Sequence, residues 1–136
     1  MTVEATRSLI ERYFQAFNDR SIQGMLDCMS EDMVHDVNQG GRRIGKEQFK
    51  TFLIHMARCY DEELADIVIM TTDDANRAAA EFTVHGTYRE TDDDLPPARG
   101  QSYTISAGTF FEVDDGLITR VTTYYNLEEW IAKVST

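Results

Sequence analysis

The chain has 136 residues, 42% of them hydrophobic, which suits one domain with a sizeable core. Its formal charge of −11, from 13 basic and 24 acidic side chains, opposes nucleic acid and anionic membrane surfaces. No apolar run reaches the roughly 18 residues of a membrane span, and the charged start is unlike a secretory leader, so a cytoplasmic protein without membrane partners is expected.

Residues 3–18 carry Leu9, Tyr13 and Phe17 at every fourth position, flanked by Ile10 and Phe14, which predicts an amphipathic helix capped by Thr2. After Asn18-Asp19-Arg20, Ser21 is placed to cap a second helix with Ile22, Met25, Leu26 and Met29 on one face. Residues 33–37 predict a short strand, and Gly40, Gly41 and Gly45 bracket a loop carrying Arg42 and Arg43. A third helix is expected over about 46–59, with Phe49, Phe52, Leu53 and Met56 at helical spacing. The period then changes to two. Strands are predicted over 64–72, 77–91, 101–114 and 117–125, with Asp115-Gly116 as a tight hairpin turn and a short terminal helix around Trp130. The acidic runs, including Asp61-Glu62-Glu63, read as turns and solvated edges. Helices followed by an antiparallel meander define an α+β domain over residues 1–136.

Asp36 is the carboxylate that draws attention. It lies in Met33-Val34-His35-Asp36-Val37, an otherwise mostly apolar stretch, where it is placed to act as a tuned base or to orient a ligand. Strand parity sends His35 to the opposite face, which argues against an adjacent dyad. Tyr13, on the apolar helix stripe, is either a core tyrosine or a hydroxyl donor facing a cavity. Phe82, Val84, Gly86 and Tyr88 share one strand face, where Gly86 leaves room; Ser106 and Phe110 share a face of the next strand, and Thr123 and Tyr125 of the last. Together with Asn38, Phe52 and Met56, the residues Phe82, Val84, Tyr88, Ser106, Phe110, Thr123 and Tyr125 are the candidate ligand contacts. Both faces of the third long strand are apolar, so one is expected to line the cavity and the other to pack in a homodimer. His55 and Cys59 are four residues apart on a helix. Two such ligands are too few for a metal site, and no metal or cofactor is expected. Cys28 and Cys59 read as reduced core thiols, although their pairing stays open. Arg42 and Arg43 are expected to pair with surface carboxylates; the alternative is a cationic rim for an anionic ligand.

The segments Tyr13-Phe14-Gln15-Ala16-Phe17-Asn18-Asp19, Met25-Leu26-Asp27-Cys28-Met29-Ser30-Glu31-Asp32, Val34-His35-Asp36 and Arg43-Ile44-Gly45-Lys46-Glu47-Gln48-Phe49 resemble the nuclear-transport-factor-2-like (NTF2-like) superfamily, near its ketosteroid-isomerase-related and SnoaL-like members. The resemblance covers the whole chain. It implies a cone-shaped fold, N-terminal helices packed on a strongly curved, mainly antiparallel sheet. By similarity to ketosteroid isomerase, Tyr13 matches the oxyanion-hole tyrosine, and Asp36 falls at or one residue beside the catalytic aspartate. Gly108 stands where the second oxyanion-hole acid would lie, and Ile105-Ser106-Ala107-Gly108-Thr109-Phe110 lacks the aspartate base of the polyketide cyclases. The implied activity is cofactor-free isomerase-like or cyclase-like proton transfer on a small, largely apolar carbonyl compound. Non-catalytic binding of a small apolar or amphipathic molecule, and a homodimeric protein-interaction module, stand beside it.

Overall fold

Thr2 starts the first helix, α1 (Val3–Asn18), by accepting the Ala5 N–H on its side chain at 3.0 Å. Leu9, Ile10, Tyr13 and Phe14 form its buried stripe. Asn18 ends it and ties it to a distant strand: its amide donates to the Leu64 carbonyl and accepts the Leu64 N–H. The computed structural model describes all of residues 1–136. Ser21 caps α2 (Ile22–Leu26) through the Gly24 N–H. This helix is shorter than its apolar spacing suggests. Met29, expected on its face, is instead the first residue of β1 (Met29–Asp36).

The Gly-rich loop expected after β1 is a hairpin. The Gly40 N–H bonds to the Val37 carbonyl and the Val37 N–H to that of Gly41, and an edge strand, β2 (Arg42–Ile44), returns along β1. Its register pairs Asp36 with Arg42 and His35 with Arg43. The third helix, α3 (Lys46–Cys59), buries Phe49, Leu53 and Cys59 and runs directly into β3 (Tyr60–Thr71). Asp61-Glu62-Glu63 therefore sits inside a strand and not in a turn, which corrects the reading of that acidic run.

β4 (Arg77–Tyr88), β5 (Ser102–Asp114) and β6 (Leu117–Tyr125) follow as antiparallel neighbours, and Asn126 caps the last helix, α4 (Leu127–Val134). Asp115 and Gly116 both have positive φ, as the tight β5–β6 turn requires. The six strands are ordered β2-β1-β6-β5-β4-β3, and all neighbours are antiparallel except β1 and β6. The sheet is thus mixed and open, with β2 and β3 as its edges. α1 packs on β3 and α3 on β1, so the helices cover one face and the core lies between.

Alternation on β4 and β5 is strict. Phe82, Val84 and Tyr88 face inward with Tyr103, Ile105, Ala107 and Phe111, whereas Ser106 and Phe110 point away. Val68, Met70, Phe110 and Tyr124 leave the outer face apolar and exposed, with the Phe110 and Tyr124 rings edge to face at 5.5 Å. No helix is long and apolar enough to cross a membrane.

Candidate functional site

Between the inner sheet face and the helices lies a cavity of about 570 Å³, walled mostly by apolar side chains. That volume suits a ring compound of drug-like size. Of the residues expected to contact a ligand, Asn38, Phe52, Met56, Phe82, Val84, Thr123 and Tyr125 line it, as does Tyr13, the expected oxyanion donor.

Asp36 does not. Its carboxylate is on the outer face, held by Arg42 through two bonds (Nε to Oδ1 2.7 Å, Nη2 to Oδ2 3.0 Å) and by Arg120 Nε at 2.7 Å. These donors push its pKa far below the usual carboxylate range, so it is a poor base as well as a misplaced one. The alternation rule was sound, but it is His35 that faces inward. Ser106 and Phe110 are likewise on the outer face, because the register sets Phe82 opposite Ala107 and Val84 opposite Ile105. Tyr88 is fully buried outside the lining: its hydroxyl donates to the Pro96 carbonyl and accepts the Asp92 N–H, pinning the loop after β4.

Of the four acidic residues that line the cavity, Asp61, Glu62, Asp92 and Asp93, Glu62 is the one held by the Tyr103 phenol. It belongs to a row across three strands, since Glu62 pairs with Gly86 and Gly86 with Tyr103. A Cβ on Gly86 would lie 2.3 Å from Tyr103 Cζ. The missing side chain is therefore what lets the Tyr103 ring lie across β4 and donate its hydroxyl to Glu62 Oε2. Burial raises the Glu62 pKa, and the Tyr103 bond only partly offsets it. Burial also raises Tyr103, with the Glu62 charge adding to it, so the phenol stays protonated and can only donate. Tyr125 is raised by burial and by the charges of Glu62 and Asp92. Tyr13, raised by burial first and then by Cys28, is a neutral donor held edge to face against Phe14 and Phe111.

A second polar group adjoins this row. Tyr60 donates to Asp92 Oδ2 at 2.7 Å, and His55 Nε2 lies 2.7 Å from Asp92 Oδ1. Cys59 Sγ completes a cluster of possible metal ligands whose atoms all lie within 4.8 Å of one another. However, Arg58 lies 3.0 Å from His55 Nδ1 and can only donate, so that nitrogen carries the lone pair. The proton then sits on Nε2 and is donated to Asp92, which leaves no lone pair for a metal there. Hydrogen bonding accounts for the cluster.

His35 is 7% exposed, packed against the rings of Phe49 and Phe52 at 5.0 and 4.5 Å, and its Nδ1 has no hydrogen-bond partner. Burial first, then the charge of Arg43, pulls its pKa down to about 4, so the imidazole is neutral near pH 7. Glu62 was hidden in the sequence by its acidic neighbours. The signal present was its parity with Tyr60 and Leu64, which also line the cavity.

Helices closing one face of a mainly antiparallel sheet over a largely apolar cavity define an NTF2-like α+β protein. The SnoaL-like domain family model matches residues 10–121, and the chain belongs to that family. A candidate polyketide cyclase from Silicibacter sp. TM1040 is 57% identical, with a TM-score of 0.96 over 100% of this chain and 99% of its own. Another from Pseudomonas putida KT2440 is 51% identical, with a TM-score of 0.93 over 98% of each chain. A third from Xanthomonas campestris pv. campestris is 48% identical at a TM-score of 0.93, over 96% of this chain and 97% of its own. No curated relative matches by sequence.

Proposed function

We propose that the protein is a cofactor-independent enzyme that removes a proton next to a carbonyl of a small, largely apolar ring compound, with Glu62 as the base. The observation that carries this reading is a partly buried carboxylate of raised pKa, held by Tyr103 at a largely apolar cavity. Burial makes Glu62 a stronger proton acceptor than a solvated carboxylate. The C–H bond breaks, the proton passes to a Glu62 oxygen, and the electron pair becomes an enolate. Neutral phenols lining the cavity, Tyr13 and Tyr125, donate to the oxygen as its charge grows. Proton return to another carbon would give an isomer. Attack of the enolate carbon on a second carbonyl of the same molecule would form a C–C bond as that C=O π bond breaks, the resulting alkoxide taking back the proton from Glu62. This closes a ring, the outcome suggested by the relatives assigned as candidate cyclases. Binding without turnover remains the second reading, favoured by the Tyr103 bond that already occupies one Glu62 oxygen. The exposed apolar outer face around Phe110 and Tyr124 supports a homodimer in either case.

The test is α-proton exchange of 2-tetralone in deuterated buffer, followed by NMR. The protein should accelerate exchange, and Glu62→Gln should lower the protein-dependent rate by about 10²–10⁴-fold. Full exchange activity in a folded Glu62→Gln protein would remove Glu62 from this role.

A further inference from the structure

Three arginines line the cavity, and they are not equivalent. Arg20 is neutralised by Asp61 at 3.0 Å. Arg89 begins the loop that also holds Glu90, Asp92 and Asp93. Arg43 makes no ion pair, in a chain with 24 acidic residues. Its neighbour Arg42 is committed to Asp36 on the other face of the same two strands. Alternation has given two adjacent arginines different surroundings.

The residue directly opposite Arg43 across the β1–β2 ladder is His35, so their side chains rise from the same sheet face. His35 brings an imidazole that is more than nine-tenths buried, lines the cavity, and holds a nitrogen with no partner. A buried polar atom left unmatched is costly, so such atoms usually find a partner in the protein, an ordered water or a bound ligand. The two groups offer complementary things to an anion: a full charge with a forked set of donors, and a ring N–H at short range. Phe49 and Phe52 flank His35 with flat apolar surface suited to the ring that would carry the anion.

We propose that the β1–β2 margin of the cavity is a carboxylate-binding subsite formed by Arg43 and His35, which selects ring compounds bearing an acidic group. The proposal rests on the cavity being the ligand site but not on Glu62 being a base. His35 and Glu62 are on β1 and β3, which are four strand spacings apart in the sheet. That is on the order of 19 Å along the sheet and less across its concave face. A ligand anchored at Arg43 could present a remote carbonyl carbon to Glu62. The negative charge of the protein as a whole then acts against anions at the surface, while one local cation admits them at this margin.

The experiment is calorimetric titration at low salt with 2-naphthoate and 2-acetylnaphthalene, a charged and a neutral probe of similar size and shape. The expected result is naphthoate binding about tenfold or more tighter than ketone binding. Arg43→Gln should abolish that preference by weakening naphthoate alone, and Arg42→Gln should leave both affinities as they were. His35→Phe, which keeps the packed ring, should weaken naphthoate and spare the ketone. Equal affinity for the two probes in the unmutated protein would overturn the subsite. So would equal losses for both probes in Arg43→Gln, or the same naphthoate loss in Arg42→Gln. Binding of neither probe would overturn the subsite and the cavity reading together. Charge-selective binding without 2-tetralone exchange would sink only the catalytic reading.

Discussion

Gly86→Ala is the sharpest test of how the sheet builds the site. The new methyl would lie 2.3 Å from Tyr103 Cζ, 2.4 Å from its hydroxyl oxygen and 2.5 Å from Cε2, each well inside contact distance. Tyr103 has little freedom to yield: it is 5% exposed, lies edge to face with Trp130 at 5.8 Å, and donates to Glu62. Forcing the ring aside resembles overpacking, at about 1–3 kcal/mol. Taking the donor from a desolvated carboxylate adds about 1.5–3 kcal/mol. A total of about 2.5–6 kcal/mol should lower the melting temperature by about 10 °C or more. Urea unfolding of Gly86→Ala, Tyr103→Ala and the double variant measures this directly. With the ring already removed, the added methyl should cost almost nothing, so the two losses should be strongly non-additive. A Gly86→Ala protein within about 0.5 kcal/mol of the original, or simple additivity in the cycle, would refute the account.

Asp36→Asn should destabilise the fold by about 1–3 kcal/mol, because Arg120 keeps only Glu112 at 3.5 Å, yet leave 2-tetralone exchange intact. Unfolding and NMR exchange assays separate the two effects; loss of exchange in a folded protein would return Asp36 to the chemistry. His35 links stability to pH. Its folded pKa, about 4, lies below the ordinary 6.5, so between those values the unfolded chain binds more protons and stability rises with pH. The difference from pH 4 to pH 7 is about 3 kcal/mol. It is shaped by the Phe49 and Phe52 rings, the Arg43 charge that lowers the pKa and the Asp36 charge that raises it, and His35→Phe should remove it from urea midpoints taken across that range. Light scattering should find twice the 15.6 kDa chain mass, and Phe110→Glu, on the exposed outer face, should return the monomer.

Much of the architecture is written locally. The Thr2 and Ser21 caps, the stripe of Leu9, Tyr13 and Phe14, and the Asp115-Gly116 turn each depend on near neighbours in sequence, and each forms at or close to its expected place. Periodicity also separated His35 from Asp36 correctly, since alternation is a property of a single strand. Which of the two faces inward is not. That depends on the side of the sheet the helices cover, and a strand with two apolar faces, such as β5, gives no local sign of it. The same ambiguity put Ser106 and Phe110 on the wrong face. Tertiary structure alone joined Glu62 to Tyr103 across Gly86, because hydrogen-bonded register brings together residues 41 positions apart in sequence. It also gave Arg42 and Arg43 opposite surroundings. Caps, turns and amphipathic stripes are decided within a few residues of chain, whereas the identity of an inward carboxylate is decided by pairing between strands distant in sequence.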